Sequence, residues 1–116
     1  MISNKEVVIA LSNSGETNET IAILPSLKKI GAKTISITKS HESTLAKQSD
    51  ISIAYHYDKE ADHLNLAPTV TTSIALAIGD ALAVALSIKK GFTREDFHVY
   101  HPGGALGRSL EKKVKI

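Results

Sequence analysis

The stretch Val7-Val8-Ile9-Ala10-Leu11-Ser12-Asn13-Ser14-Gly15-Glu16-Thr17 carries the pattern around which the rest of the chain is arranged. Its first five residues are apolar and rich in β-branched side chains, which is typical of a parallel strand buried on both faces. Residues 19–30, which follow it, have apolar side chains at helical spacing and end at Gly31. The order strand, hydroxyl-rich loop, helix predicts an α/β architecture.

The loop of residues 12–17, called loop 12–17 below, has the side chains of an anion site. The first N–H groups of a helix lack intrahelical partners and lie at the positive end of its dipole. Ser12, Ser14 and Thr17 add hydroxyl donors, and Gly15 permits a positive φ or a close backbone approach. The loop therefore predicts a cradle for a phosphate monoester.

A simpler interpretation of the same loop stays open at this point. Asn13 and Glu16 have the spacing of a helix-capping pair, and serine and glycine are common at turns. Glu16 and Glu19 also place negative charge near any bound anion. They would have to point away from a phosphate or take part in chemistry.

Composition excludes several classes of function. The chain of 116 residues predicts one domain, with 14 basic and 12 acidic side chains and a formal charge of +2. Aromatic residues make up 4% of the chain, and the basic tail at Lys112, Lys113 and Lys115 is interpreted as a solvated end, so no nucleic-acid partner is expected. There is no cysteine, which excludes disulfides and fits a reducing compartment.

The sequence also predicts a cytoplasmic protein without a membrane partner. The N-terminus lacks the layout of a signal peptide. The apolar residues 74–88 form a stretch that is short for a bilayer and contains Asp80, for which a structural role is expected. This stretch is predicted to be a core or interface helix.

Further elements follow in α/β order. Residues 33–38 and 51–55 predict second and third strands, with a short helix at residues 43–48 between them. Strands joined through helices run parallel, and ligands bind beyond their carboxyl ends. Ser12, Thr38 and the residues after the third strand are expected at that edge.

The second half of the chain is predicted to be mostly helical. Residues 56–63 mix histidines and carboxylates but match no metal-binding signature, so a solvated loop without a metal is predicted. Pro68 opens a long helix over residues 69–90, apolar nearly all round, which must be covered on most faces. Residues 93–97 predict a short capped helix, and residues 101–108 a glycine-rich turn.

Three motifs together resemble a known family. The strand, Ser-Asn-Ser-Gly-Glu-Thr loop and helix resemble the phosphate loop of sugar isomerase (SIS) domains. Leu66-Ala67-Pro68-Thr69 before a helix with Gly79-Asp80-Ala81-Leu82-Ala83, and then His101-Pro102-Gly103-Gly104-Ala105-Leu106-Gly107, are similar to the arabinose-5-phosphate isomerase branch. The resemblance covers roughly residues 5–110. It implies a three-layer αβα sandwich with a parallel, Rossmann-like sheet.

The resemblance also implies an activity. Aldose–ketose isomerisation of arabinose 5-phosphate and ribulose 5-phosphate passes through an enediol and needs acid–base groups but no metal or other cofactor. By resemblance, the phosphate is held by Ser12, Asn13, Ser14 and Thr17, and acid–base positions are matched by Glu19, Glu60 and His101. Which of these three takes the carbon-bound proton stays open.

The chain departs from the family pattern at its start. A complete SIS domain begins with an earlier strand-loop-helix-strand unit, which in the isomerases supplies a lysine, and CBS modules often follow the domain. Residues 1–116 are therefore expected to form a single, partial SIS domain that forms a homo-oligomer or pairs with a chain that completes it. The alternatives are a non-catalytic phosphosugar-binding regulatory or assembly module, and a structural fragment whose loop is a helix cap.

Overall fold

The computed structural model describes residues 1–111 and divides into two compact units. The first unit is Met1–Ala77, and the second begins at Ile78. The prediction of one domain over residues 1–116 stays a prediction. The predicted basic tail of Lys112, Lys113 and Lys115 lies outside the described residues.

Strands and helices alternate in the first unit. Its elements are β1 (Val7–Leu11), α1 (Asn18–Ala22), α2 (Leu24–Ile30), β2 (Lys33–Thr38), α3 (Thr44–Gln48) and β3 (Ile51–Ala54), and α4 (Val70–Lys89) begins there. The second unit continues with α5 (Arg94–Tyr100) and α6 (Gly104–Glu111). The strands have the order β1-β2-β3 and are parallel, with Val7 opposite Lys33 and Ile35 opposite Ile51. The predicted α/β class and its parallel sheet are confirmed.

The core of the first unit lies on one face of the sheet. It consists of Ala10, Leu24, Leu27, Ala32 and Leu45, with Val8 and Ile21 packed against it. The β1 side chains on the opposite face, Val7, Ile9 and Leu11, are 57%, 45% and 51% exposed. The prediction that this strand is buried on both faces was therefore wrong. Among the described residues β1 pairs with β2 alone and is an edge strand.

The helix predicted over residues 19–30 is two helices. Proline has no N–H to continue a helix and its ring clashes with the preceding turn, so Pro25 lies in the first turn of α2, and α1 ends at Ala22 with Ile23 as its C-cap. Gly31 ends α2 as predicted, with a φ of 87° and its N–H donating to the carbonyl of Leu27 at 3.0 Å.

Helix α4 differs in three respects from the sequence prediction. Its side chains Leu76, Val84, Leu86 and Ile88 are 53–75% exposed, so the expected cover on most faces is not seen among residues 1–111. The helix has 20 residues and is, by length and composition, able to cross a bilayer. The prediction that its apolar stretch, taken as residues 74–88, is too short for a bilayer was therefore wrong. Asp80 is exposed rather than buried against a neighbour.

Helix starts in the second unit are set by local chemistry. Thr93 and Asp96 form the predicted capping box at α5, in which the Asp96 N–H donates to the Thr93 hydroxyl at 3.1 Å and the Thr93 N–H donates to the Asp96 carboxylate at 2.8 Å. The turn predicted at residues 101–108 is shorter in the structure, because α6 begins at Gly104. Residues 101–103 precede the helix, Gly104 has a φ of 72°, and Ala105 and Leu106 favour the helical conformation.

Loop 12–17 lies against the start of α3. Gly15 has a φ of 70°, and the position of its absent Cβ is occupied by the side chain of Ser43. Its carbonyl accepts the Leu45 N–H at 3.0 Å. Only glycine therefore fits this contact without strain.

Gly15→Ala is expected to destabilise the protein more than Gly31→Ala. Both residues have positive φ, which costs an alanine about 1–2 kcal/mol, but a methyl group at Gly31 meets only the Asn4 Cβ at 3.3 Å. The overlap with Ser43 should remove about 1–3 kcal/mol more from the free energy of unfolding. Urea denaturation of both variants measures the difference. Equal losses would contradict the close packing of Gly15 on α3.

Candidate functional site

Hydroxyl groups hold loop 12–17 in a fixed conformation. The Ser12 Oγ lies 2.8 Å from the Thr17 Oγ1 and accepts the Gly15 N–H at 3.0 Å. The Ser14 Oγ accepts the Glu16 N–H at 3.1 Å. Since each hydroxyl oxygen has more than one hydrogen-bonding site, these contacts organise the loop and leave capacity for a ligand.

The start of α1 offers backbone donors next to these hydroxyls. Thr17 is the N-cap residue, but its hydroxyl bonds to Ser12 and does not cap the helix. Within residues 1–111, the N–H groups of Thr17, Asn18 and Glu19 donate to no protein acceptor. Because α1 has only five residues, its dipole is small, and these donors matter more than the dipole for an anion.

Asn13 and Glu16 do not form a capping pair. The Glu16 Oε1 accepts the Thr44 N–H at 2.8 Å, at the start of α3, and this bond lowers the pKa of Glu16. The Asn13 side chain bonds instead to Tyr55 and Tyr57. The simpler interpretation of this pair was therefore wrong. Of the two carboxylates near the loop, that of Glu16 points toward α3, where the Thr44 N–H compensates its negative charge.

A cleft of about 250 Å³ opens beside the loop. It is lined by Leu11, Ser12, Asn13, Ile37, Tyr55, Pro68, Thr71, Thr72 and Ala75. Leu11 and Ile37 lie near the carboxyl ends of their strands, and Tyr55 follows the last residue of β3. The cleft therefore lies at the sheet edge where ligands of parallel α/β proteins bind.

Glu60 caps the start of α4. Its carboxylate accepts the N–H groups of Thr69 at 2.7 Å and Val70 at 2.8 Å, and the Thr69 hydroxyl at 3.1 Å. Burial of the carboxylate acts to raise its pKa, but hydrogen bonds from Thr71 and Thr69 outweigh burial and lower the pKa to about 2. Glu60 is thus ionised at neutral pH and is tied to Thr71, a residue that lines the cleft.

The remaining two predicted acid–base residues lie in different units. Glu19 is exposed in the first turn of α1. His101 is the C-cap residue of α5 in the second unit, and its ring stacks on Phe97 with the centroids 4.7 Å apart. A Cβ on Gly107 would lie 2.5 Å from the His101 carbonyl oxygen. Glycine at this position therefore allows α6 to pack closely on the backbone of His101.

Sequence reasoning missed the tyrosines around Asn13. Their hydroxyls are brought to the loop by β3, and the position of Tyr55 at the carboxyl end of a predicted strand was the one signal available. Histidine and carboxylate pairs occur at His56 with Asp58 and at His63 with Asp62. In the described part of the chain, no three such residues come together in a group that would hold a metal ion.

The stabilising effect of the Glu60 carboxylate should depend on pH. Its pKa in the folded protein, about 2, lies below its ordinary value of 4.5. The stabilisation is therefore fully present above about pH 4.5 and is lost as the pH falls toward 2. The difference in melting temperature between the unsubstituted protein and Glu60→Gln should be large at pH 7 and shrink at pH 3. A constant difference over this range would contradict the cap.

Comparison of the sequence with known proteins identifies close relatives. The family model described as "SIS domain" matches residues 1–85. The chain is 50% identical over 115 residues to the arabinose 5-phosphate isomerase KdsD of Pseudomonas aeruginosa, covering 99% of this chain and 35% of that protein. It is 49% identical over 114 residues to KdsD of Escherichia coli K12, with 98% and 35% covered. The chain thus spans about a third of the length of these relatives.

Solved structures give the same assignment. An Escherichia coli CFT073 protein in complex with arabinose 5-phosphate matches with a TM-score of 0.83 and 52% identity, over 88% of this chain and 54% of that chain. A putative sugar-phosphate isomerase from Listeria monocytogenes matches with a TM-score of 0.82 and 32% identity, over 88% and 53%. The family model also covers most of the apolar helix α4, which is therefore part of a known α/β domain. The chain belongs to the SIS-domain family.

Proposed function

We propose that this protein binds a sugar phosphate in the cleft beside loop 12–17 and serves the interconversion of arabinose 5-phosphate and ribulose 5-phosphate. The observation that carries the proposal is the preorganised loop 12–17, whose first two residues, Ser12 and Asn13, line the cleft. Within the described residues 1–111, the loop also leads into the unpaired N–H groups at the start of α1. Further support comes from the roughly 50% identity to proteins named arabinose 5-phosphate isomerase, and from a 52% identical neighbour solved with arabinose 5-phosphate.

The phosphate group would be held by the loop. Donors are contributed by Ser12, Asn13, Ser14 and Thr17 and by the N–H groups at the start of α1. A dianion that accepts several such bonds is bound more strongly than a neutral group of the same shape. The sugar would then extend along the cleft toward Tyr55 and Thr71.

The reaction would be a proton transfer between neighbouring carbons. A base removes the proton from C2 of the open-chain aldose, the electrons form an enediol, and the proton returns to C1 while another proton moves between the oxygens. Glu19, Glu60 and His101 are the proposed acid–base groups. Since Glu60 has a pKa of about 2, it is a weak base for the carbon-bound proton. Glu60 would act through its charge and by holding the start of α4.

Completion of the site by another chain is part of this proposal. The apolar edge at Val7, Ile9 and Leu11 is exposed, as are Leu76 and Val84 of α4. A second copy or a chain supplying the rest of the domain would cover such surface. A cytoplasmic location fits the absence of cysteine, the SIS assignment and a small-molecule ligand.

A non-catalytic phosphosugar-binding module is the second candidate. It is favoured by the bonding of Glu60, because a carboxylate fully engaged as a helix cap needs no catalytic role to explain its burial. Both candidates require sugar-phosphate binding, and they differ only in turnover.

Calorimetry with arabinose 5-phosphate, arabinose and inorganic phosphate tests the binding step. We expect the sugar phosphate to bind more tightly than either part. Ser14→Ala and Thr17→Ala should each weaken binding about tenfold, since each removes a hydrogen bond to a charged group. Ser26→Ala, at an exposed position of α2, is the matched control and should bind normally. Unchanged affinity in both loop variants would rule out the phosphate cradle.

The turnover step separates the two candidates. Conversion of arabinose 5-phosphate is assayed with the chain alone and with a partner chain that completes the domain. Glu60→Gln and His101→Ala should retain binding and lose turnover if the protein is an isomerase. Binding without turnover in either assay would favour the non-catalytic module.

A further inference from the structure

Two tyrosine hydroxyls hold the side chain of Asn13. The Asn13 Nδ2 donates to the Tyr57 hydroxyl at 2.9 Å, and the Tyr55 hydroxyl donates to the Asn13 Oδ1 at 3.0 Å. The tyrosine rings lie with their centroids 6.3 Å apart and their planes tilted by 41°. We call these three residues the tyrosine clamp. Because both ends of the amide are bonded, the Asn13 side chain is held in place by two hydrogen bonds.

The backbone of Asn13 is anchored as well. Its carbonyl accepts the Lys39 N–H at 2.9 Å, and the Ser12 N–H donates to the Ile37 carbonyl at 3.2 Å. These bonds attach the start of loop 12–17 to β2, while the clamp attaches it to the end of β3. The first residues of the loop are thus held from two strands.

Tyr55 also faces the cleft. It lines the cleft together with Ser12 and Asn13, so two of the three clamp residues border the space proposed for a sugar. Burial raises the pKa of the Tyr55 hydroxyl, which therefore stays protonated and able to donate to Asn13 over the whole physiological range. A hydroxyl that donates to Asn13 still has lone pairs to accept a bond from a ligand.

We propose that Tyr55 and Tyr57 are positioning residues, which act through Asn13 to hold loop 12–17 in its phosphate-binding conformation. The proposal rests on the proposed function, because it assigns the tyrosines a task in the same sugar-phosphate site. In this proposal Asn13 orients loop 12–17, in addition to the phosphate contact that the resemblance to SIS domains implies for it. Neither tyrosine is among the residues that the SIS resemblance assigned to the site.

The double variant Tyr55→Phe/Tyr57→Phe tests this proposal by binding. It removes two hydroxyls and keeps the aromatic rings, so the fold should be retained. We expect about five- to tenfold weaker binding of arabinose 5-phosphate in calorimetry. Tyr100→Phe, at a 73% exposed tyrosine of the second unit, is the matched control and should bind normally. Unchanged affinity in the double variant would overturn the proposal.

A thermodynamic cycle with Asn13→Ala separates positioning from a merely structural effect. If the tyrosines act through Asn13, removing their hydroxyls should have no further effect on affinity once Asn13 is alanine. If the double variant loses the same factor in both backgrounds, the tyrosines act independently of Asn13 and the proposal fails.

Amide hydrogen exchange tests the clamp without any ligand. Loss of the clamp should accelerate exchange of the Lys39 N–H, which donates to Asn13, by several-fold in the double variant. The Thr34 N–H, which donates to Asp50, is the control for general destabilisation. Equal Lys39 exchange in both proteins would overturn the clamp itself. If exchange is faster in the double variant but the unsubstituted protein binds no sugar phosphate, the proposed function fails and the clamp stands.

Discussion

The contact of Gly15 with Ser43 is the constraint on which the candidate site depends. The loop carbonyl at Gly15 accepts the Leu45 N–H at 3.0 Å, and the Glu16 carboxylate accepts the Thr44 N–H at 2.8 Å. The shape of loop 12–17 is therefore set by an element that lies 28 residues further along the chain. The conformation of loop 12–17 thus depends on the assembly of β1, β2 and α3, so the candidate site belongs to the tertiary structure and not to a local motif.

Two glutamates each accept backbone N–H groups at the start of a helix. Glu16 accepts an N–H at the start of α3, and Glu60 accepts several at the start of α4. The negative charge of each carboxylate is thereby compensated by backbone dipoles, which would reduce its repulsion of a phosphate bound at the proposed site. Glu19, in the first turn of α1, is the one acidic residue of residues 12–19 that is not engaged in such a cap.

Local patterns predicted much of the fold, and the errors arose where partners are distant. Short-range chemistry accounts for strand β2, for the end of α2 at Gly31 and for the capping box at Thr93. The break at Pro25 was overlooked because apolar periodicity continues across it, and α6 was hidden by the glycines before it. The loop was recognisable as a site, but the direction of Glu16 and the tyrosines at Asn13 depend on contacts between separate elements, for which the sequence has no local signal.

The tyrosine clamp has a consequence for spectroscopy. The chain has no tryptophan and only three tyrosines, and two of these are bonded to Asn13. Intrinsic ultraviolet fluorescence of the unmodified protein therefore arises largely from the two phenol rings beside loop 12–17. The emission of the native chain is a built-in optical reporter on the state of its candidate site.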